Sequence, residues 1–160
     1  MPIKVGDSIP SATLRVKDDN GISEVTTEDL FAGKKVALFA LPGAFTPTCS
    51  AKHLPGFVAN AAAIKAKGVD TIACVSVNDA FVMGAWGEAQ EVGGAVLMLA
   101  DGNAEFTGAV DLGMDASGFG MGGRSQRYSM IVEDGVVKNL NIEEPGGFEA
   151  SSAETLLGQL

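Results

Sequence analysis

Three short apolar runs that barely alternate with polar residues, KVALFAL (35–41), TIACVSV (71–77) and AVLMLA (95–100), set the first constraint on this chain. Short uninterrupted runs of this kind read as central strands of a parallel sheet, covered on both faces. The stretches between them have helical spacing. Helical periodicity runs from about Pro47 to Lys67, with Phe57, Ala61 and Ile64 on one face and Gly68 as the stop. DAFVMGAWGEAQ reads as a helix opened by an Asn78 or Asp79 cap, and NAEFTGAV as a short helix.

The flanks complete the pattern. An extended stretch around Ala12 to Val16 precedes a short helix, TTEDLF, with Thr27 placed to cap it. RYSMIVEDGVVKNLNIE, with Asp134-Gly135 between two β-rich runs, predicts a hairpin. SSAETLLGQL closes as a helix capped by Ser151 or Ser152, with Glu154 in its first turn. Alternating strands and helices followed by a hairpin and a helix predict a three-layer α/β/α sandwich. With no linker or repeat, residues 1–160 read as a single domain.

Composition excludes several functions. A net charge of −9 with no basic cluster argues against nucleic acid as a partner. No run approaches a membrane span, and the start, MPIKVGDSIP, has neither signal-peptide nor transit-peptide character. Two cysteines, Cys49 and Cys74, do not make a secreted disulfide framework, and a single histidine makes a His/Cys zinc site improbable. A reducing, cytoplasmic compartment is the expectation.

Chemistry concentrates in LPGAFTPTCS (41–50). A proline at the first helical position is pre-set in φ and lacks the amide that would be orphaned there. Thr46 then reads as the cap, Pro47 as the first helical residue and Cys49 as the third, its sulfur beside free amides at the positive end of the helix dipole. The competing reading is a small hydrophobe at a strand–helix junction. Ionisation alone makes a weak reagent. A free thiol with a pKa of about 8.5 is about 3% thiolate at pH 7, so full ionisation gains at most about 30-fold, near 2 kcal/mol. A Brønsted coefficient of about 0.4–0.5 returns much of that. A fast reaction needs groups that act on the other reactant.

Pro42-x-x-x-Thr46-x-x-Cys49 resembles the active-site pattern of the peroxiredoxins, and PGAFTPTCSAKHLPGF their type-5 (plant type II) branch. The likeness extends to KGVDTIACVSVNDAFVMGAWG (67–87), LMLADG (97–102) and GGRSQRYSMIVEDGVVKNLNIE (122–143). It implies a thioredoxin-like fold with the family's N-terminal extension, and peroxide reduction without metal or organic cofactor. By resemblance, Cys49 is the peroxidatic cysteine that becomes a sulfenic acid, and Thr46 binds and orients the peroxide. Arg127 is the cation that favours the thiolate and the developing charge on the leaving oxygen. Pro42 shields the site from water. Arg124 reads as an ordinary surface arginine or one that supports the site from behind. Leu112 and Phe119 are candidates to line the peroxide entrance.

The family also implies a homodimer, with glutathione, glutaredoxin or thioredoxin as reductant. Members with a resolving cysteine near the C-terminal helix carry it close to where this chain reads EASSAE, which has none. Cys74, mid-strand in an apolar run, reads as buried and inert, with a resolving role as the alternative; a one-cysteine cycle is the expectation. His53, four residues after Cys49, raises a Cys–His hydrolase, but i, i+4 side chains point side by side and no orienting third group is evident. A packing or hydrogen-bonding histidine is the simpler reading. Gly118 to Gly123 fits G-x-G-x-x-G but precedes a strand rather than opening a helix, so it is not a dinucleotide loop. Trp86 and the methionines read as core or interface. The non-enzymatic alternative is a redox sensor that passes oxidation from Cys49 to a partner protein.

Overall fold

A computed structural model describes residues 1–160. The three apolar runs become strands β3 (Lys35–Ala40), β4 (Thr71–Ser76) and β5 (Leu97–Ala100), after an N-terminal hairpin, β1 (Thr13–Asp18) and β2 (Gly21–Thr26), that adds one strand beyond the sequence reading. A second antiparallel pair, β6 (Gly113–Asp115) and β7 (Gly123–Ser125), precedes β8 (Tyr128–Glu133) and β9 (Val136–Ile142). Seven strands form one sheet in the order β2-β1-β5-β4-β3-β8-β9, with β3, β4 and β5 parallel and the rest antiparallel. Asp134 and Gly135 both take positive φ, +47° and +77°, which is the backbone a tight hairpin turn demands.

Alternate residues of β3 serve opposite faces. Ala37 and Phe39 pack with α2 (Leu54–Ala66), α3 (Ala80–Ala89) and α5 (Ala153–Gly158), while Val36, Leu38 and Ala40 pack with α1 (Thr27–Phe31) and α4 (Glu105–Ala109). Two apolar clusters, one on each side of the sheet, make the predicted three layers. The helix capping α3 is set by Asp79, whose carboxylate accepts from the Val82 amide, and Ser152 caps α5.

Thr27 is not the cap of α1. That role falls to Thr26, whose hydroxyl accepts from the Asp29 amide, because the Thr27 hydroxyl is drawn inward to the Ala12 amide and the Pro10 carbonyl. The helix predicted from Pro47 to Lys67 is two segments. Cys49–His53 is wound as a π-turn, the Leu54 amide reaching back five residues to the Cys49 carbonyl. Pro55 explains the irregularity, since it supplies no amide for the Ala51 carbonyl and its ring crowds that carbonyl in an α-helix.

Candidate active site

The loop after β3 is held from three sides. The Asn78 side-chain oxygen accepts from the Ala44 amide at 3.0 Å, the Thr46 hydroxyl donates to the Gly43 carbonyl at 2.7 Å, and Arg124 Nη1 donates to the Pro42 carbonyl at 3.3 Å. These contacts hold Phe45 at a φ of +64°, a conformation that costs a non-glycine residue about 1–2 kcal/mol. Thr46 supplies the carbonyl that accepts the first helical bond, from Ser50, but its hydroxyl does not cap the helix. Pro47 begins the helical backbone, as the sequence predicts, and the amides of Thr48 and Cys49 find no backbone acceptor.

Cys49 is fully buried at the start of the π-turn. Arg127 comes from the opposite end of the chain, at the entry to β8, and its Nη2 donates to Cys49 Sγ at 3.1 Å. Its Nη1 donates to His53 Nδ1 at 2.8 Å. One planar guanidinium therefore bridges the sulfur and the imidazole, using the fixed fork that a lysine lacks.

The tautomer of His53 follows from its partners. A guanidinium can only donate, so Nδ1 accepts; the Ser151 carbonyl, 3.0 Å from Nε2, can only accept, so Nε2 carries the proton. The ring is fully buried against Phe39, Phe57 and Phe148, with centroids 5.0, 5.7 and 5.1 Å away. Burial, and then the Arg127 charge, drive its pKa from the ordinary 6.5 down to about 3. His53 is thus a neutral acceptor for Arg127, the packed and hydrogen-bonded histidine of the simpler sequence reading, with partners that its own helix does not reveal.

This predicts an acid sensitivity. The unfolded chain takes up the imidazole proton near pH 6.5 while the folded protein resists until about pH 3, so stability is full above pH 6.5 and falls as pH drops towards 3. The expected slope is about 1.4 kcal/mol per pH unit. Urea melts between pH 5 and 7.5 should show it, and His53→Gln should flatten the part above pH 5, where few carboxylates titrate.

The remaining candidates separate. Pro42 is half-buried, and Arg124 also donates from Nε to the Met121 carbonyl at 2.9 Å, so it braces the loop and has no acid partner. A Cβ on Gly43 would lie 3.0 Å from Arg124 Nη1 and 3.1 Å from Met121 Cε, which is why glycine stands there. Leu112, expected at the entrance, is 1% exposed within the apolar cluster on the other face of the sheet from Cys49. The chain entering β6 packs this side chain among the apolar residues of that cluster, so it does not line an entrance. Phe119 is 84% exposed on the turn between β6 and β7. The glycine-rich run there is a loop closed by an Ala116 amide to Gly122 carbonyl bond, not a helix start. Cys74 is fully buried in β4, and burial, then the neighbouring Cys49, push its thiol well above the ordinary range. Both cysteines are free.

Comparison with known proteins places this geometry. Residues 4–157 match the Redoxin family. The chain is 56% identical to chloroplastic peroxiredoxin-2E-2 of Oryza sativa subsp. japonica, over 99% of this chain and 72% of that protein. It is 46% identical to peroxiredoxin-2B of Arabidopsis thaliana, over 99% of each. The crystal structure of reduced Prx3 from Vibrio vulnificus in complex with H2O2 is 57% identical, covers 98% of both chains and aligns with a TM-score of 0.95. Matches of this extent favour a turning-over enzyme over the one-shot sensor. Joined to a thiol bridged by arginine to a neutral histidine, they identify the chain as a member of the redoxin family, a thioredoxin-fold peroxiredoxin of the type-5, plant type II branch with thiol peroxidase activity.

Proposed function

We propose that Cys49 is the peroxidatic residue and reduces hydrogen peroxide and alkyl hydroperoxides in concert with Thr46 and Arg127. The thiolate attacks the terminal peroxide oxygen, an S–O bond forms as O–O breaks, and the electron pair leaves on the second oxygen. The proton on the attacked oxygen stays with the new sulfenic acid. The leaving oxygen takes up a proton from solvent, equivalent to the one the thiol released on ionising, and departs as water or alcohol. The observation that carries the reading is the guanidinium 3.1 Å from the sulfur, where charge redistributes during O–O cleavage. The Thr46 proton is committed to the Gly43 carbonyl, so its oxygen is left to accept from the peroxide O–H and align the bond for in-line attack. Pro42 shields the sulfur side of the loop, and exposed Phe119 offers an apolar rim for organic hydroperoxides.

Thr46→Val keeps the shape and removes the acceptor. Its second-order rate constant with hydrogen peroxide should fall by about 100-fold in stopped-flow measurement, with Cys49 alkylation unchanged. An undiminished peroxide rate would remove Thr46 from the mechanism.

We further propose a one-cysteine cycle. A reductant thiol attacks the Cys49 sulfenic acid, water leaves as the mixed disulfide forms, and a second thiol releases Cys49. Glutathione with glutaredoxin is the reading we favour, thioredoxin the other. The burial of Cys74 in mid-strand supports this, because resolution by Cys74 would require β4 to open. After one equivalent of peroxide, non-reducing mass spectrometry with glutathione should find the adduct on Cys49; a bridge between residues 49 and 74 would contradict the cycle. Residues 1–160 act in this proposal as one domain, in a cytoplasmic homodimer whose contact lies near the active site, where Phe45 is 56% exposed.

A further inference from the structure

The reaction leaves one well-built cluster unused. Glu143, just past β9, donates its amide to the Arg127 carbonyl at 2.9 Å. Its Oε2 accepts three hydrogen bonds, from the Glu149 amide at 2.8 Å, the Ser151 amide at 2.8 Å and the Ser151 hydroxyl at 2.7 Å. Burial raises the pKa of this carboxyl, but hydrogen bonds from Ser151, Glu149 and Ala150 outweigh it and hold it below the usual carboxylate range. One carboxylate oxygen thereby closes residues 143–151 into a loop. That loop delivers the Ser151 carbonyl to His53 Nε2 and lays the Phe148 ring edge-on against the imidazole, 6.0 Å from Arg127 Cζ.

The geometry at the sulfur depends on which imidazole nitrogen is bare. Arg127 can bridge Cys49 and His53 only while Nδ1 has a free lone pair. The acceptor that keeps the proton on Nε2 is the Ser151 carbonyl, and nothing else bonds that nitrogen. An open loop would expose the ring to water, free the tautomer and allow protonation, and both the Nδ1–H form and the imidazolium would repel the guanidinium. We propose that Glu143 is a positioning residue of the peroxidase site: by closing the 143–151 loop it fixes Ser151 on His53, and so sets the nitrogen that presents Arg127 to Cys49. The proposal rests on the reading above, in which Arg127 acts at the sulfur. The charges facing the imidazole are Arg127, just before β8, and Glu143, just past β9, with Cys49 on its own turn sharing the guanidinium.

The test compares the wild type with Glu143→Ala, Ser151→Ala and the double variant Glu143→Ala/His53→Gln. Second-order rate constants with hydrogen peroxide are measured from pH 5 to 8, and the His53 imidazole is followed by 15N NMR. Glu143→Ala should lower the rate between about tenfold and 100-fold at the acid end, through an inflection near pH 6–6.5 that the wild type lacks. His53 should titrate in the same range in that variant, while in the wild type it stays the neutral Nε2–H form. The double variant, with no protonatable group at 53, should lose the added inflection. Ser151→Ala, short of one donor only, should show a smaller shift in the same direction and covers the case in which Glu143→Ala fails to fold. An unchanged rate profile, or a uniform loss at every pH with the His53 signal unmoved, would overturn the proposal. Arg127→Ala run alongside separates the two readings: if it retains the wild-type rate the mechanism itself fails, whereas a collapse there with Glu143→Ala unaffected sinks only the role of Glu143.

Discussion

Cys49→Ser is expected to consume no peroxide above the buffer rate, while remaining folded. The change replaces sulfur by oxygen in a buried site of nearly the same shape, so packing is kept and the nucleophile is lost. A serine hydroxyl stays protonated near neutral pH and is a poor nucleophile towards peroxide oxygen. No second thiol can take over. Cys74 is fully buried in β4 beside Phe39, and its thiol is pushed well above the ordinary range by burial. A catalytic assay with excess reductant checks the loss, and full turnover by Cys49→Ser would end the assignment.

Arg127→Ala should lower the second-order rate constant with hydrogen peroxide by about 100- to 1,000-fold, the range found when one preorganised donor is removed from a charge-developing site. Two contacts disappear together, the 3.1 Å bond to Cys49 Sγ and the 2.8 Å bond to His53 Nδ1. Arg127→Lys should recover only part of the rate. An ammonium keeps the charge, but it cannot span two acceptors with one rigid plane. Trp86, whose indole donates to the Ser50 hydroxyl next to the nucleophile, gives a fluorescence signal for following the reaction.

Where local pattern decides structure, the sequence was enough. The unbroken apolar runs gave β3, β4 and β5, Asp134-Gly135 gave the last hairpin, and Asp79 and Ser152 took cap positions named in advance. Misreadings arose where a tertiary contact overrode a local preference. The Thr27 hydroxyl was claimed by Ala12 and Pro10, and the Thr46 hydroxyl by Gly43, so neither caps a helix. Leu112 turned inward for the same reason, because burial among apolar neighbours outweighs exposure at a rim.

The site divides in the same way. Cys49 announced itself through Pro47 and the helix start that it implies. Arg127 lies 78 residues away, and only the family likeness linked it to the sulfur. His53 was judged by its helix alone, where i, i+4 side chains merely run parallel. Its donor arrives from the residue before β8 and its acceptor from the segment before α5, and no spacing rule within one helix could reveal either.

Trapping kinetics with two electrophiles test the central claim most directly. Cys49 in the wild type and in Arg127→Ala is reacted with hydrogen peroxide and, separately, with iodoacetamide under the same conditions. Alkylation reports the thiolate alone, for which a full change of ionisation is worth at most about 30-fold. If the guanidinium also assists O–O cleavage, the substitution should slow the peroxide reaction at least tenfold more than it slows alkylation. Equal slowing of both reactions would contradict that, and would leave Arg127 nothing to do but ionise the thiol.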